Sequence, residues 1–388
     1  MRLFTSSSEP PPSDGHPAGG LLDVSTVAGG STGVQAATPI DGLVHADALE
    51  EAHRDIPDRP WGRIALMALS IVLVLMAGWE IGWRRQGYHS GDIKDSNASW
   101  AEQRRHAVGD ATVLIGTSRN LFDVDLDVWE KTTGVRPVQL SLEGTSPRFV
   151  LDDLANDPKF HGLVVSDVLT GMFFTQFDGR GAAVLPYYKH ETPSQRVGWF
   201  LSLPPEQVFA YIDDQTRLKE LWRRLEFPTR PGQRPAFVDP YKIGVKRADR
   251  NSELWDRELY DTAYRERTIR IWGNVMRPPP GAPPPNPPKV IAEVAANVAK
   301  IRARGGDVVF VMHPQAGWLL RAEPPRGPFW DALLAGSNTR GVRYDDYPQL
   351  QGFRIPELSH MHPRDAEVYT ARLAPLVMAA HAKGPPAR

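Results

Sequence analysis

The stretch VLIGTSRNLFDVD, residues 113–125, decides the fold. Its first four residues predict a buried strand, and the small residues Gly116, Thr117 and Ser118 predict a tight turn before a helix. A side chain at the carboxyl end of a parallel strand lies where open α/β sheets bind their ligands. Ser118 is therefore either a turn residue without chemistry or a candidate functional group.

Strands and helices alternate through two parts of the chain, residues 110–165 and 289–381. Strand, helix, strand, helix and strand in succession predict a parallel sheet with right-handed crossovers, and hence an α/β fold. We expect one helix to end at Gly134 and another to be capped by Ser146. The predicted strands are ATVLIG, RPVQLSL, HGLVVSDV, DVVFVMHP and GVRYDDY, and the predicted helices are LDVWEKTTG, SPRFVLDDLAND, KVIAEVAANVAKIRARGG, GPFWDALLAG and PRDAEVYTARLAPLVMAAH.

Four further segments differ from this pattern in composition. Residues 1–58 are rich in Ser, Pro, Gly and acidic residues, so we expect a disordered tail that cannot bury enough apolar surface to fold. Residues 86–110 predict a polar, helical connector to a domain over 111–388. Within that domain, residues from about 190 to 288 have the charge pattern of helices and end in a Pro-rich tract. Such an insertion is typical of a lid or a partner surface.

A single transmembrane helix is predicted over residues 61–83. The sixteen residues from Ile64 to Trp79 carry no charge, and Trp61 and Trp83 extend the span as interfacial anchors. Arginines and lysines are nearly balanced on the two sides of the span, so charge alone does not orient it. The alternative, a buried core helix, is less favoured because few soluble helices are apolar all round.

Overall composition narrows the function classes. The chain has 45 Lys and Arg against 46 Asp and Glu, which gives no electrostatic reason to expect a nucleic-acid partner. It has no Cys, which excludes disulfides, thiol nucleophiles and Cys-ligated metals. The histidines have no metal-ligand spacing, and the adjacent carboxylates Asp345 and Asp346 would alternate faces in a strand. We therefore expect neither a metal nor a cofactor.

A serine becomes a nucleophile only when a base accepts its proton and a carboxylate orients that base. Residues 355–369, IPELSHMHPRDAEVY, place Glu357 three positions before His360 in the loop that precedes the last helix. His313 ends a predicted strand and is a candidate substrate contact or alternative base. Arg119 either holds an anionic group of the substrate or pairs with a neighbouring acid.

Three motifs together resemble the SGNH/GDSL hydrolase superfamily. They are Gly-Thr-Ser after the first strand, Gly144 after the second strand, and carboxylate-x-x-His before the last helix. The resemblance implies a three-layer α/β/α flavodoxin-like fold. It also implies that Ser118 is the nucleophile, that His360 is the general base and that Glu357 orients His360. The backbone amides of Ser118 and Gly144 would stabilise the oxyanion.

The chain departs from the family pattern at two points. The acid is usually Asp, whereas this chain has Glu357, and the Gly-x-Asn-Asp block after the third strand is replaced by a segment with Ser166 and Asp167. The chain is most similar to the membrane-tethered branch that includes the teichoic-acid D-alanylation and alginate O-acetylation proteins, which also tends to lack that block.

That branch implies a single-pass protein of a bacterial-type inner or plasma membrane with an extracytoplasmic C-terminal domain. The implied function is an acyl esterase or O-acyltransferase that acts on a cell-surface polysaccharide or other glycan through an acyl-serine intermediate. The alternative is a catalytically degenerate adaptor that partners a membrane-bound O-acyltransferase or a polysaccharide export assembly.

Overall fold

The computed structural model describes residues 57–175, 179–223, 242–275 and 284–386. The chain divides into two units, Met1–Val74 and Leu75–Arg388, and the second contains the α/β domain. The disordered tail predicted for residues 1–58 lies outside the described residues except at its last two positions.

A five-stranded, fully parallel sheet forms the centre of the domain, as the alternating pattern predicted. Its strand order is β2-β1-β3-β6-β7, and a separate antiparallel hairpin joins β4 to β5. Because β1 has β2 on one side and β3 on the other, the chain reverses its direction of travel across the sheet at β1. The strands are β1 (Thr112–Ile115), β2 (Val138–Gln139), β3 (Leu163–Asp167), β4 (Gly244–Lys246), β5 (Ser252–Leu254), β6 (Asp307–Met312) and β7 (Arg340–Arg343).

Helices surround this sheet, and further helices lie within the insertion. Short 3-10 turns occur at Ala210–Ile212, Asp214–Thr216, Tyr344–Asp346 and Pro348–Leu350, and a π turn occurs at Gly327–Asp331. The helices are α1 (Trp61–Arg85), α2 (Asn97–His106), α3 (Ser118–Phe122), α4 (Leu126–Thr133), α5 (Arg148–Asn156), α6 (Thr170–Phe173), α7 (Gly181–His190), α8 (Pro193–Val208), α9 (Leu218–Arg223), α10 (Arg257–Tyr260), α11 (Thr262–Val275), α12 (Pro287–Arg302), α13 (Gly317–Arg321), α14 (Ala332–Ser337) and α15 (Pro363–Ala382).

Both faces of the sheet are covered by helices. Successive side chains of a strand point to opposite faces, so Val113 and Ile115 join one hydrophobic core while Leu114 joins the other. Helices α5, α12 and α14 supply the first core, and α4 and α15 supply the second. This double coverage explains why the strands are apolar throughout rather than alternating.

Helix α1 has 25 residues, and none of its side chains is buried. Its most apolar window has a mean hydropathy of 2.3. By length and composition the helix can cross a membrane, in agreement with the predicted span.

The insertion differs in part from the helical expectation. Residues 252–254 form β5 and pair with β4, because Ser252 and Leu254 face inward while Glu253 faces solvent. Strands of three residues are too short for their period to stand out from a helical charge pattern. Residues 224–241 and 276–283, which include most of the Pro-rich tract, lie outside the described residues.

Two predicted caps have different outcomes. Gly134 ends α4 with a φ of 79°, a left-handed conformation that favours glycine. Ser146 does not cap α5, because the helix begins after Pro147, and the Ser146 hydroxyl has no hydrogen-bond partner among the described residues. The predicted strand GVRYDDY is also shorter than expected, since its last part forms a 3-10 turn.

Candidate active site

The turn after β1 is held by the end of the neighbouring strand β3. The hydroxyl of Thr117 donates to Asp167 Oδ2 at 2.7 Å, and the Thr117 amide donates to the same oxygen at 3.2 Å. The Thr117 hydroxyl also accepts the amide of Arg119 at 3.3 Å and so caps α3. Ser118 is therefore the first residue of a capped helix, at the point where the direction across the sheet reverses.

Gly116 is required by close packing in this turn. A Cβ atom at this position would lie 2.6 Å from the Cβ of Asp167 and 2.7 Å from the Cβ of Asn120. No side chain fits at such distances without displacing the turn. The glycine thus sets the separation between the ends of β1 and β3, and with it the position of Ser118.

Ser118 lies beside His360 and Glu357 in the fold, although it is more than 200 positions before them in the sequence. The hydroxyl of Ser118 lies 2.8 Å from His360 Nε2. On the other side of the ring, His360 Nδ1 lies 3.0 Å from Glu357 Oε1, in ion-pair contact but without the direction of a good hydrogen bond. Both His360 and Glu357 are fully buried. The order serine, imidazole, carboxylate is that of a catalytic triad.

The loop between the acid and the base has a strained backbone. Leu358 has a φ of 75°, which is rare for a branched side chain. Its carbonyl accepts the amide of Ala316 at 3.0 Å, which holds the strained residue in place. In this conformation Glu357 Oε1 accepts the amides of Ser359, at 3.3 Å, and of His360. The loop therefore fixes the carboxylate by backbone donors as well as by the imidazole.

The insertion contributes a side chain to this arrangement. Trp272, on α11, donates its indole N–H to Glu357 Oε2. Its ring also meets the ring of His360 edge-on, with centroids 5.9 Å apart. Sequence reasoning missed Trp272, and the sequence gives no local signal for it, since it lies in a charged helix far from both triad partners.

Charges within the triad shift its pKa values in opposite directions. Burial alone raises the pKa of Glu357, but His360 and the donors around the carboxylate outweigh burial and lower it. Burial alone lowers the pKa of His360, but the carboxylates of Glu357 and Asp123 outweigh burial and raise it. These shifts favour the ionised form of Glu357 and make His360 a stronger proton acceptor.

Asp123 is a second buried acid that sequence reasoning missed. It ends α3, and its Oδ1 accepts the amide of Met361 at 2.8 Å, so it ties the nucleophile helix to the residue that follows His360. Its Oδ2 has no hydrogen-bond partner among the described residues. Burial raises the pKa of Asp123 to about 7. The available signal was an acid on the same short helix as the candidate serine.

A cavity of about 650 Å³ opens beside Ser118 and is lined in part by Gly144 and Trp272. Gly144 has a φ of 55°. The amides of Ser118 and Gly144 donate no hydrogen bond to any residue that the structure describes, and both residues line the cavity. These are the two amides predicted to stabilise an oxyanion.

Several ion pairs line this cavity, beside apolar side chains such as Met172 and Trp272. Lys246 contacts Glu143 at 2.7 Å, Arg180 contacts Asp95 at 2.7 Å, and Lys242 pairs with two further acids, Asp92 and Asp213. Asp92 and Asp95 belong to the predicted connector, and both lysines come from the insertion. The connector and the insertion therefore supply most of these charged side chains, and Glu143 comes from the loop after β2 of the central sheet.

Arg119 and His313 have protein partners and do not line this cavity. Arg119 is 2% exposed and donates to Gln315 Oε1 at 2.7 Å. His313 is 1% exposed and lies 3.2 Å from Asn120 Oδ1, while its other nitrogen lies 3.0 Å from a tyrosine hydroxyl. Burial lowers the pKa of His313 to about 4, so its ring is neutral. Their assignment as substrate contacts stays a prediction.

No metal-binding cluster of three or more His, Asp or Glu side chains is present in the four described ranges. Asp345 and Asp346, the adjacent carboxylates, pair with Arg343 and Arg326, respectively. Their side chains are therefore engaged by arginines.

No protein-family model matches the chain, and no curated protein sequence matches it. The interpretation of the site therefore rests on its geometry and on the chemistry of its residues.

Proposed function

We propose that the protein is a membrane-anchored serine esterase or O-acyltransferase of SGNH type that acts on a cell-surface glycan. The observation that carries the proposal is the 2.8 Å contact between the Ser118 hydroxyl and His360 Nε2, with Glu357 on the other ring nitrogen. The strand order of the sheet supports a flavodoxin-like, three-layer SGNH-type fold.

The proposed reaction has two steps. Ser118 Oγ attacks the ester carbonyl as its proton passes to His360 Nε2, and the amides of Ser118 and Gly144 stabilise the oxyanion. The bond between the carbonyl carbon and the oxygen of the alcohol part of the ester then breaks, and that oxygen takes the proton from His360. An acyl group remains on Ser118. Water or a sugar hydroxyl next donates its proton to His360 and attacks the acyl carbonyl. The bond from the acyl carbon to Ser118 Oγ then breaks, and Ser118 Oγ takes the proton back from His360.

The charged side chains that line the cavity support a hydroxyl-rich acceptor. Its charges are paired with one another, so the wall offers fixed hydrogen-bond donors and acceptors rather than a strong field of one sign. Such a wall suits a neutral sugar better than a long hydrocarbon chain. A C-terminal domain outside the cytoplasm, in a bacterial-type inner or plasma membrane, is part of the same proposal.

Turnover of p-nitrophenyl acetate and labelling by a fluorophosphonate test the proposal on the full chain in detergent micelles. We expect Ser118→Ala to abolish both and His360→Ala to reduce both by at least about a thousand-fold. Ser146→Ala is the matched control, because that hydroxyl has no described partner and follows the next strand of the sheet. Labelling of the Ser118→Ala variant at the wild-type level would exclude Ser118 as the nucleophile.

A degenerate adaptor is the second candidate, because His360 Nδ1 lies close to Glu357 but without the direction of a hydrogen bond. Such a protein would partner a membrane-bound O-acyltransferase or an export assembly. It would show no labelling and no turnover above background in the folded wild type. An increase of turnover on adding a glycan acceptor would instead favour the transferase over the hydrolase.

A further inference from the structure

Helix α8 of the insertion turns its apolar face outward. Val197, Phe200, Leu201 and Val208 are 54%, 45%, 70% and 56% exposed, respectively. With 3.6 residues per turn, these side chains and exposed Pro204 share one stripe along the helix. We call this stripe the α8 apolar face.

The opposite side of α8 packs against the domain. Trp199 and Glu206, which lie across the helix from the α8 apolar face, are 9% and 8% exposed. Glu206 Oε2 accepts the amide of Lys94 at 2.9 Å, and its carbonyl accepts the amide of Gly91 at 2.9 Å. The helix therefore packs on the domain through Trp199 and Glu206 and presents a second apolar stripe away from the protein.

The end of α8 is tied to the end of α1. Arg84, in the last turn of α1, donates to the carbonyl of Val208 at 3.0 Å. Glu80 accepts the amides of Ala210 and Tyr211, each at 3.0 Å. These contacts hold the last residue of the α8 apolar face beside the carboxyl end of a helix that is long and apolar enough to cross a membrane.

Interfacial residues mark this end of α1. Trp79 and Trp83 meet edge-on with centroids 5.6 Å apart, and Arg84 and Arg85 follow them. Tryptophan and arginine at the end of an apolar helix are typical of the boundary between headgroups and acyl chains. The contacts of Val208 therefore bring α8 to that boundary.

We propose that the α8 apolar face binds the surface of the bilayer that α1 enters. An amphipathic helix with large apolar side chains buries that face at the boundary of headgroups and acyl chains. An apolar stripe whose last residue lies beside the end of a helix that can cross a membrane fits lipid better than it fits water. The proposal depends on α1 crossing the membrane and is independent of the proposed catalytic function.

Site-specific fluorescence in nanodiscs tests this proposal. The chain has no Cys, so Leu201→Cys carries a single nitrobenzoxadiazole label on the full protein. The nanodiscs contain phosphatidylethanolamine, phosphatidylglycerol and lipids with a doxyl quencher, placed near the top of the acyl chain for positions 197, 201 and 368 and near its end for position 73. Leu73→Cys, within α1, is the positive control. Val368→Cys is the matched negative control, since Val368 is 43% exposed on α15.

We expect the label at position 201 to be quenched several-fold more than the label at position 368, with a blue-shifted emission. Val197→Cys, one turn earlier on the same face, should behave in the same way. Quenching at 201 and 197 no stronger than at 368 would overturn the proposal and leave a protein partner as the occupant of the face. Absence of quenching at position 73 would also overturn it, because α1 would then not lie in the bilayer.

Discussion

The indole N–H of Trp272 donates a hydrogen bond to the carboxylate of Glu357, 85 positions further along the chain. An element inserted between two halves of an α/β domain thus supports the acid of the candidate triad. The insertion was expected to act as a lid or partner surface, and Trp272 gives it a direct structural role behind His360 as well.

Trp272→Phe should reduce turnover by about 10- to 100-fold, because a buried carboxylate oxygen that loses its donor costs about 1–3 kcal/mol. Phenylalanine retains a ring beside His360 but cannot donate. Without the indole N–H the carboxylate of Glu357 is less stabilised and raises the pKa of His360 further, so the loss of activity on acidification should begin at a higher pH. Steady-state kinetics across pH measure both effects.

Trp255→Phe is the control for this prediction. Trp255 is a buried tryptophan of the same insertion, and its indole N–H donates to the carbonyl of Gly87 at 3.0 Å. Its substitution should lower stability without shifting the pH profile. Equal kinetics for the two variants would contradict a specific role for Trp272.

Glu357→Gln should lower kcat by about a thousand-fold or more, since the amide no longer stabilises the imidazolium. Glu357 raises the pKa of His360, and the base works in its neutral form. Loss of the charge therefore lowers the pKa of His360, and the ascending limb of kcat/KM moves to lower pH. Glu357→Asp keeps the charge and should leave the limb close to the wild-type position. A limb that stays in place in Glu357→Gln would contradict the assignment.

Gly116→Ala should destabilise the domain by about 1–3 kcal/mol, because its methyl group would overpack the ends of β1 and β3. The displaced turn should also slow fluorophosphonate labelling of Ser118. Thermal unfolding and labelling rates measure the two effects on one preparation. Gly327→Ala is the matched control, since nothing lies within 4 Å of a Cβ atom there and its φ is not left-handed. Wild-type labelling in Gly116→Ala would show that Ser118 does not depend on this packing.

Asp123→Asn should stabilise the protein increasingly as pH rises from about 4 to about 7, relative to the wild type. The pKa of Asp123 is about 7 in the fold and 3.8 ordinarily, so between these values the folded state holds a proton that the unfolded state has released. The free energy of unfolding contributed by this group therefore falls as pH rises through that window. Asparagine cannot ionise, so the variant does not lose free energy of unfolding in this way.

Melting temperatures of the full chain in detergent at several pH values measure this difference. Asp127→Asn is the control of opposite sign, because Arg247 and Arg136 lower the pKa of Asp127 to about 2. Its stabilising effect is complete above pH 4 and is lost as pH falls toward 2. A constant difference between Asp123→Asn and wild type from pH 4 to 7 would contradict the prediction.

Local patterns predicted the parts of the fold that depend on neighbours in sequence. Gly134 ends α4, and the apolar strands form the parallel sheet, because turn chemistry and period are local properties. The encounter of Ser118 with His360 was expected only through a family resemblance, since no local rule connects positions so far apart.

Other features depended on tertiary contacts without a local signal. Arg119 could bind a substrate or pair within the protein, and its buried partner Gln315 lies 196 positions away. Trp272 occupies a charged helix whose period gives no sign of a triad contact. The hairpin of β4 and β5 has three residues per strand, too few for an alternating pattern of apolar and polar residues to be recognised.

The separation of 242 positions between Ser118 and His360 also bears on biosynthesis. Helix α1 leaves the ribosome before any part of the sheet, whereas His360 is synthesised after all five strands of the sheet. Ser118 therefore has no imidazole of His360 beside it while the sheet is being synthesised. A nascent chain that contains α1 and the sheet, but not yet His360, would carry Ser118 without the base that the proposed mechanism requires.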